Sequence, residues 1–262
     1  MWYDLPNLGS IGGNLICMFV IFVFDKMFAP KKARWFAIHA FANAIVTLAC
    51  IVSTYTVIVD PIHAMDSRVY NNRRFFGNAS PWPILIINAV HVYHMIAFNN
   101  LTKSDYFHHL MFIPTVGFFG QYYEWGAIRN FLCLFISGLP GGIDYFMLML
   151  VKLGHVDVLI QKRICAGLNT WLRAPGITYE AGLMYVAFIT GNTTVPWPVN
   201  LMVASLSWFN AQYYCKQSVA NYAITHVFGH VEEKISKITG TNVPIWDKRQ
   251  MKDVKKPQNL MS

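Results

Sequence analysis

The sequence predicts an all-α fold: a polytopic membrane helix bundle of about seven transmembrane helices, N-terminus out and C-terminus in, with interfacial amphipathic helices. Three observations carry this. The chain has 262 residues, of which 55% are apolar and only 13% charged, against about 25% charged in an ordinary soluble protein. Its apolar residues are gathered into long blocks rather than spread at the spacing of a core helix. Its basic residues are distributed unevenly between alternate loops.

The blocks give candidate spans at residues 10–24, 35–59, 82–98, 106–122, 127–151, 177–191 and 199–215. The first has no basic stretch before it and no small-residue cleavage site after it, so it reads as a retained helix rather than a signal peptide. The fourth, sixth and seventh fall short of about 20 apolar residues. Between the second and third, residues 60–81 form an outer loop rich in Asn, Arg and Pro that reads as irregular. It carries an Asn78-Ala79-Ser80 sequon, weakened as an acceptor by Pro81. Within the fifth span, Ser137-Gly-Leu-Pro140-Gly141-Gly142 is a helix-breaking run whose freed backbone groups must be satisfied by neighbours or line a cavity.

Two amphipathic stretches complete the chain. Residues 154–172 place Val156, Leu159, Ile160, Ile164, Leu168 and Leu172 opposite Lys162, Arg163 and Asn169, the pattern of a helix lying in the interface. Residues 223–238 set Ile224, Val227, Val231 and Ile235 against Glu232, Glu233, Lys234 and Lys237, an interfacial or partner-docking helix. The organisation is therefore a bundle over 1–222, followed by an interfacial helix and a basic tail over 223–262.

With the N-terminus out, the inner segments hold 17 of the 21 basic residues, leaving Arg68, Arg73, Arg74 and Arg129 on the other side. The net charge of +8 sits in loops and a tail beside apolar segments and accompanies no nucleic-acid fold. It points to anionic lipid headgroups, with subunits of a membrane complex as further partners, and not to nucleic acid. Cys17, Cys50, Cys133, Cys165 and Cys215 lie singly in apolar surroundings, without metal-ligand spacing, and read as small buried side chains. No cofactor or metal is expected. His226 and His230 have i, i+4 spacing but lack a third ligand nearby, and Lys216 at the end of a span lacks a carboxylate counter-ion pattern.

The polar residues that bear on function gather around residues 88–110. His91 and His94 share a helix face, His108 and His109 point about 100° apart so that one at most faces a pocket squarely, and Asp105 lies one turn before His109. If the third and fourth spans are antiparallel neighbours, His94, Asp105 and one of the paired histidines converge near the inner end of the bundle. An imidazole there suits general-base work, with a carboxylate to fix its tautomer, or interhelical hydrogen bonding. Asp144, one turn after the Pro-Gly run, marks a polar pocket or a structural pair. Glu180 and His39 are weaker candidates for the same pocket. The candidate catalytic residues are His108, His109, Asp105 and Asp144; the candidate lipid-binding residues are His91, His94, Tyr93 and Glu180.

Tyr93-His94-Met95, then His108-His109 preceded by Asp105, then Ser137 to Asp144, then Arg173-Ala-Pro175 form a series that resembles the TLC-domain family, which includes ceramide synthases and translocation-associated membrane proteins. The resemblance covers about residues 35–215. It implies a TLC-like core, lipid binding, a role in lipid metabolism with acyl transfer as the natural reaction, and residence in the endoplasmic reticulum. The acidic residue of the family's Tyr-Asp element is replaced by His94 or Met95, and the extended ceramide-synthase motif is absent, which argues against ceramide synthesis. Asn88-Ala-Val-His91 also resembles one box of the fatty-acid elongases, but their His-x-x-His-His box is missing. From a different class, the chain reads as a non-catalytic integral subunit of a larger assembly, for example in the mitochondrial inner membrane.

Overall fold

The computed structural model describes residues 8–99 and 101–240, and all regular structure among them is helical. The basic tail after Gly240 lies outside the described residues. Helix α1 spans Leu8–Met27, α2 Arg34–Val59, α3 Pro61–Ala64 and α4 Trp82–Ala97. The next three rods are each interrupted by one π-helical turn. Helix α5 (Lys103–Phe112) runs through Ile113–Gly117 into α6 (Phe118–Tyr122), α7 (Ala127–Cys133) through Leu134–Gly138 into α8 (Leu139–Leu153), and α9 (Val158–Leu168) through Asn169–Arg173 into α10 (Ala174–Ile189). A single helix, α11, covers Trp197–Thr239.

Proline explains where the turns widen. It has no N–H for the carbonyl four residues back, and its ring crowds that carbonyl. Pro114 lies inside the first π turn, while Pro140 and Pro175 each sit two residues beyond the second and third. The carbonyl that Pro140 leaves open is that of Ile136, and Arg173 Nε donates to it at 3.4 Å. The sequence-level break at 137–142 is thus a widened turn in a continuous rod, closed by a side chain from another helix.

The rods close into a ring. Helix α2 packs against α4 on one side and against α7 and α8 on the other; α4 meets the 103–122 rod; that rod meets α11; α11 meets α9 and α10; and these return to α8 and α7. Helix α1 lies outside, against α4 and α2. Asp25 near its end accepts the hydroxyl of Tyr93 at 2.5 Å and forms a bidentate ion pair with Arg34.

Two stretches, Lys31–Val59 of 29 residues and Ala127–Leu153 of 27, are long and apolar enough to cross a membrane, and Trp82–Ala97 is a shorter apolar helix. The polarity of the ring is turned inward. Asn43, Ser53, Asn88, Asn130, Asn169 and Asn200 are buried, while Leu48, Ile51, Tyr55 and Ile58 along α2 and Ile11, Leu15, Phe19 and Phe22 along α1 are exposed.

Two elements depart from the sequence-based outline. Residues 154–172 form no separate helix: α9 starts at an Asp157 cap and passes straight into the next rod. The last span and the tail helix are one, because no proline or glycine falls between Val199 and Phe228 to stop α11. Gly154 (φ 84°) and Gly240 (φ 66°), in the left-handed conformation that glycine tolerates, end α8 and α11.

Candidate functional site

The last turns of α4, the first turns of α5 and the start of α2 meet at one end of the ring, and they bring five histidines together. His91 and His94 come from α4, His108 and His109 from α5, and His39 from α2. Ring centroids lie 4.2 Å apart for His39 and His94, 5.2 Å for His91 and His108, 5.3 Å for His91 and His109, and 6.2 Å for His94 and His109. Both members of the consecutive pair reach the cluster, because His91 stands between them. Aromatic rings complete the walls: Trp35 stacks on His94 at 4.1 Å, Tyr145 on His39 at 4.1 Å, and Phe112 on His91 at 4.7 Å.

Hydrogen bonds assign a direction to part of this cluster. His91 Nδ1 lies 2.6 Å from the Ile87 carbonyl, which only accepts, so His91 donates there. If the rings are neutral, His91 Nε2 then accepts from His108 Nε2 at 3.1 Å, and His108 Nδ1 accepts from the Tyr214 hydroxyl at 3.4 Å. His109 Nδ1 donates to the Asp105 carbonyl at 2.6 Å. That bond fixes its tautomer and leaves Nε2 as an acceptor with no partner among the described residues, the form a general base requires. His94 is fully buried, and neither of its ring nitrogens has a hydrogen-bond partner among the described residues.

The acidic candidates take other places. The Asp105 carboxylate accepts from the Thr102 N–H at 2.9 Å and hydroxyl at 2.7 Å, while the Asp105 N–H returns to Thr102 Oγ1 at 3.2 Å. This capping box closes the first turn of α5, so it is the Asp105 carbonyl that orients His109. Asp144 accepts from Gln161 Nε2 at 2.6 Å, across from α9, and bonds to no histidine. Its neighbour Tyr145 joins the cluster instead. Tyr93 turns away from the histidines toward Asp25 and α1.

Arg173, in the third π turn, also points into the ring. Its Nη2 donates to Asn210 Oδ1 at 2.5 Å, its guanidinium lies 5.1 Å from the Tyr214 ring centroid, and its Nη1 is buried without a partner. No carboxylate forms an ion pair with it among the described residues.

Glu180 does not join the histidines. It lies on α10, fully buried, and borders a separate cavity further along the ring, about 20 Å³ in the space where the centre of a water molecule can move. Phe112 and Ile87 line this cavity, and Phe112 is also the ring stacked on His91, so one aromatic side chain stands between the two places. Among the described residues, no group of three or more His, Cys, Asp or Glu side chains is arranged to hold a metal ion.

Sequence reasoning reached four of the five clustered histidines through their spacing, and the fifth, His39, as a weaker candidate. It did not assign Trp35, Tyr145, Tyr214 or Arg129, because an aromatic side chain in an apolar segment looks the same whether it faces the ring or its surroundings. Arg129 alone carried a signal, as a lone cation inside an apolar block. No protein-family model, curated protein or solved structure matches the chain.

Proposed function

We propose that the chain is a seven-span membrane protein of TLC-like architecture, with the N-terminus out and the C-terminus in, that binds lipid at the histidine end of its ring. The observation that carries this reading is a set of buried unspent hydrogen-bonding atoms in a ring with apolar outer faces, both nitrogens of His94 and Nη1 of Arg173, beside a His109 whose Nδ1 is held by the Asp105 carbonyl. Buried polar groups are as a rule bonded, and ionisable groups inside apolar surroundings mark binding or relay sites. A lipid headgroup supplies the missing partners while its chains lie between the rods. Where the bound lipid is an acyl donor, His109 takes the proton of the accepting hydroxyl or amine as that group attacks the acyl carbonyl, and returns the proton to the leaving group as the donor's acyl bond breaks. The Asp105 carbonyl orients His109, and Tyr214, His108 and His91 form a separate hydrogen-bonded line beside it.

A second reading, a non-catalytic subunit of a membrane assembly, is favoured by α11. Its buried residues end at Ala211, and Ile224, Val227, Val231, Ile235 and Ile238 form an exposed stripe on the remainder. At about 1.5 Å per residue that remainder is a long rod with one apolar face, suited to a partner helix. Mass spectrometry of lipids and proteins that co-purify with the wild type and with a His108→Ala/His109→Ala variant decides between the two. Loss of one lipid class from the variant supports the lipid site. Unchanged lipid content with a lost protein partner overturns it in favour of the subunit.

A further inference from the structure

The cavity beside Glu180 is bordered by a carboxyl group that is spent on nothing among the described residues. Glu180 is fully buried, and neither carboxyl oxygen has a hydrogen-bond partner among the described residues. The surrounding walls are apolar, with Ile84, Val116, Leu132, Met184 and Val203 among them. Two further polar groups on the walls are largely spent inside the protein. Arg129 donates through its terminal nitrogens to the carbonyls of Gly120, Ala79 and Ser80 at 3.4, 3.3 and 3.1 Å, and only its Nε is unbonded. The Trp125 indole donates to the Phe119 carbonyl at 2.9 Å. Glu180 and Arg129 form no ion pair, so nothing among the described residues compensates the carboxyl group.

A buried carboxyl group without a partner is costly. The cavity has room for about one water-sized group, since a water needs roughly 10–15 Å³ by the same measure. A hydroxyl fits both facts. It donates to a carboxyl oxygen whether or not the carboxyl carries a proton, it can accept from a remaining donor on the wall, and it adds no charge to an apolar chamber. The chamber admits little more than the hydroxyl itself, so the apolar body of an alcohol extends out of it past the apolar walls.

We propose that the Glu180 cavity is a second binding site, separate from the histidine end, that takes a hydroxyl group: either a resident water or the hydroxyl of an otherwise apolar alcohol. Glu180 is the acceptor, and Phe112 forms the wall toward the histidines.

The test uses the full chain in detergent, with a long-chain primary alcohol and its methyl ether as probes and thermal unfolding as the readout. At a concentration tenfold above its dissociation constant, the alcohol is expected to raise the midpoint of the wild type by about 3–6 °C, and the ether, which cannot donate, by much less. Glu180→Gln, which keeps an acceptor, retains the difference; Glu180→Leu abolishes it. The His108→Ala/His109→Ala variant also retains it, so failure here and failure of the histidine-site reading are separately visible. If the alcohol has no effect, an experimental density map with an ordered water bonded to Glu180 assigns the site to water. Alcohol and ether acting equally on the wild type and Glu180→Leu, or a dry cavity with Glu180 bonded to the protein, overturns the proposal.

Discussion

At the scale of residues, the chain separates polar groups that hold helices together from polar groups that are left unspent. Asp25 belongs to the first kind: its fully buried side chain takes a bidentate pair from Arg34 and the hydroxyl of Tyr93, and so ties α1 and α4 to the start of α2. Removing one member of a buried pair strands the other charge. Asp25→Ala is therefore expected to cost about 2–4 kcal/mol in detergent unfolding, discounted from a fully buried pair because Arg34 is 31% exposed. A loss below about 1 kcal/mol would show that α1 is held by apolar contact alone. Asp60, in the outer loop, accepts the hydroxyl of Tyr70 at 2.8 Å and a bond from His63 Nδ1 at 2.9 Å, and these hold its carboxyl below the ordinary range. A depressed carboxyl pKa stabilises the loop above the unfolded value, near 4, and that support is lost as pH falls through the folded value. Limited proteolysis of the 60–81 loop should accelerate below about pH 4 in the wild type, whereas Asp60→Asn should show a smaller acceleration, the remainder coming from Asp66, which is paired with Arg68 in the same loop.

At the scale of elements, the three π turns set how closely the rods approach. Where Gly176 of α10 faces the second π turn, a Cβ would lie 2.3 Å from the Phe135 ring. The crossing depends on a missing side chain, and Gly176→Ala forces the ring and the turn apart. Thermal or denaturant unfolding should record a loss of about 1–3 kcal/mol, the usual cost of overpacking; an unchanged midpoint would mean that Phe135 has another rotamer to occupy. The prolines behind these turns are plain in the sequence, and so are most helix limits: the 35–59, 82–98 and 127–151 segments coincide with helices to within two residues at either end. Less legible was the continuity of α9 with α10 and of α11 through its tail. Amphipathic period marks a change of surroundings along a helix, and it carries no information about whether the backbone stops there. The capping role of Asp105 was open to inspection as Thr102-x-x-Asp105, a capping-box spacing that the nearby histidines obscured.

At the scale of the whole molecule, the ring explains why polar residues far apart in sequence share one interior. His39, His91, His109, Arg173 and Tyr214 come from different rods, and only closure of α11 onto the 103–122 rod brings Tyr214 to His108. The histidine end was legible because four of its members lie on two helices joined by one short turn. The Glu180 cavity was not, since its walls come from residues 84 to 203 and no spacing rule links them. Outward apolar faces and an inward polar lining give the account its central claim, that the histidine end is a site and not a set of helix ties.

His94 tests that claim most directly, because its nitrogens bond to nothing among the described residues and its ring is held by Trp35 and His39. The measurement is the bound-lipid content of purified His94→Leu beside its thermal midpoint. The account predicts an unfolding free energy within about 1 kcal/mol of the wild type, since no buried hydrogen bond is removed, together with loss of the co-purifying lipid. A variant that unfolds several degrees earlier yet keeps its lipid in full would contradict it.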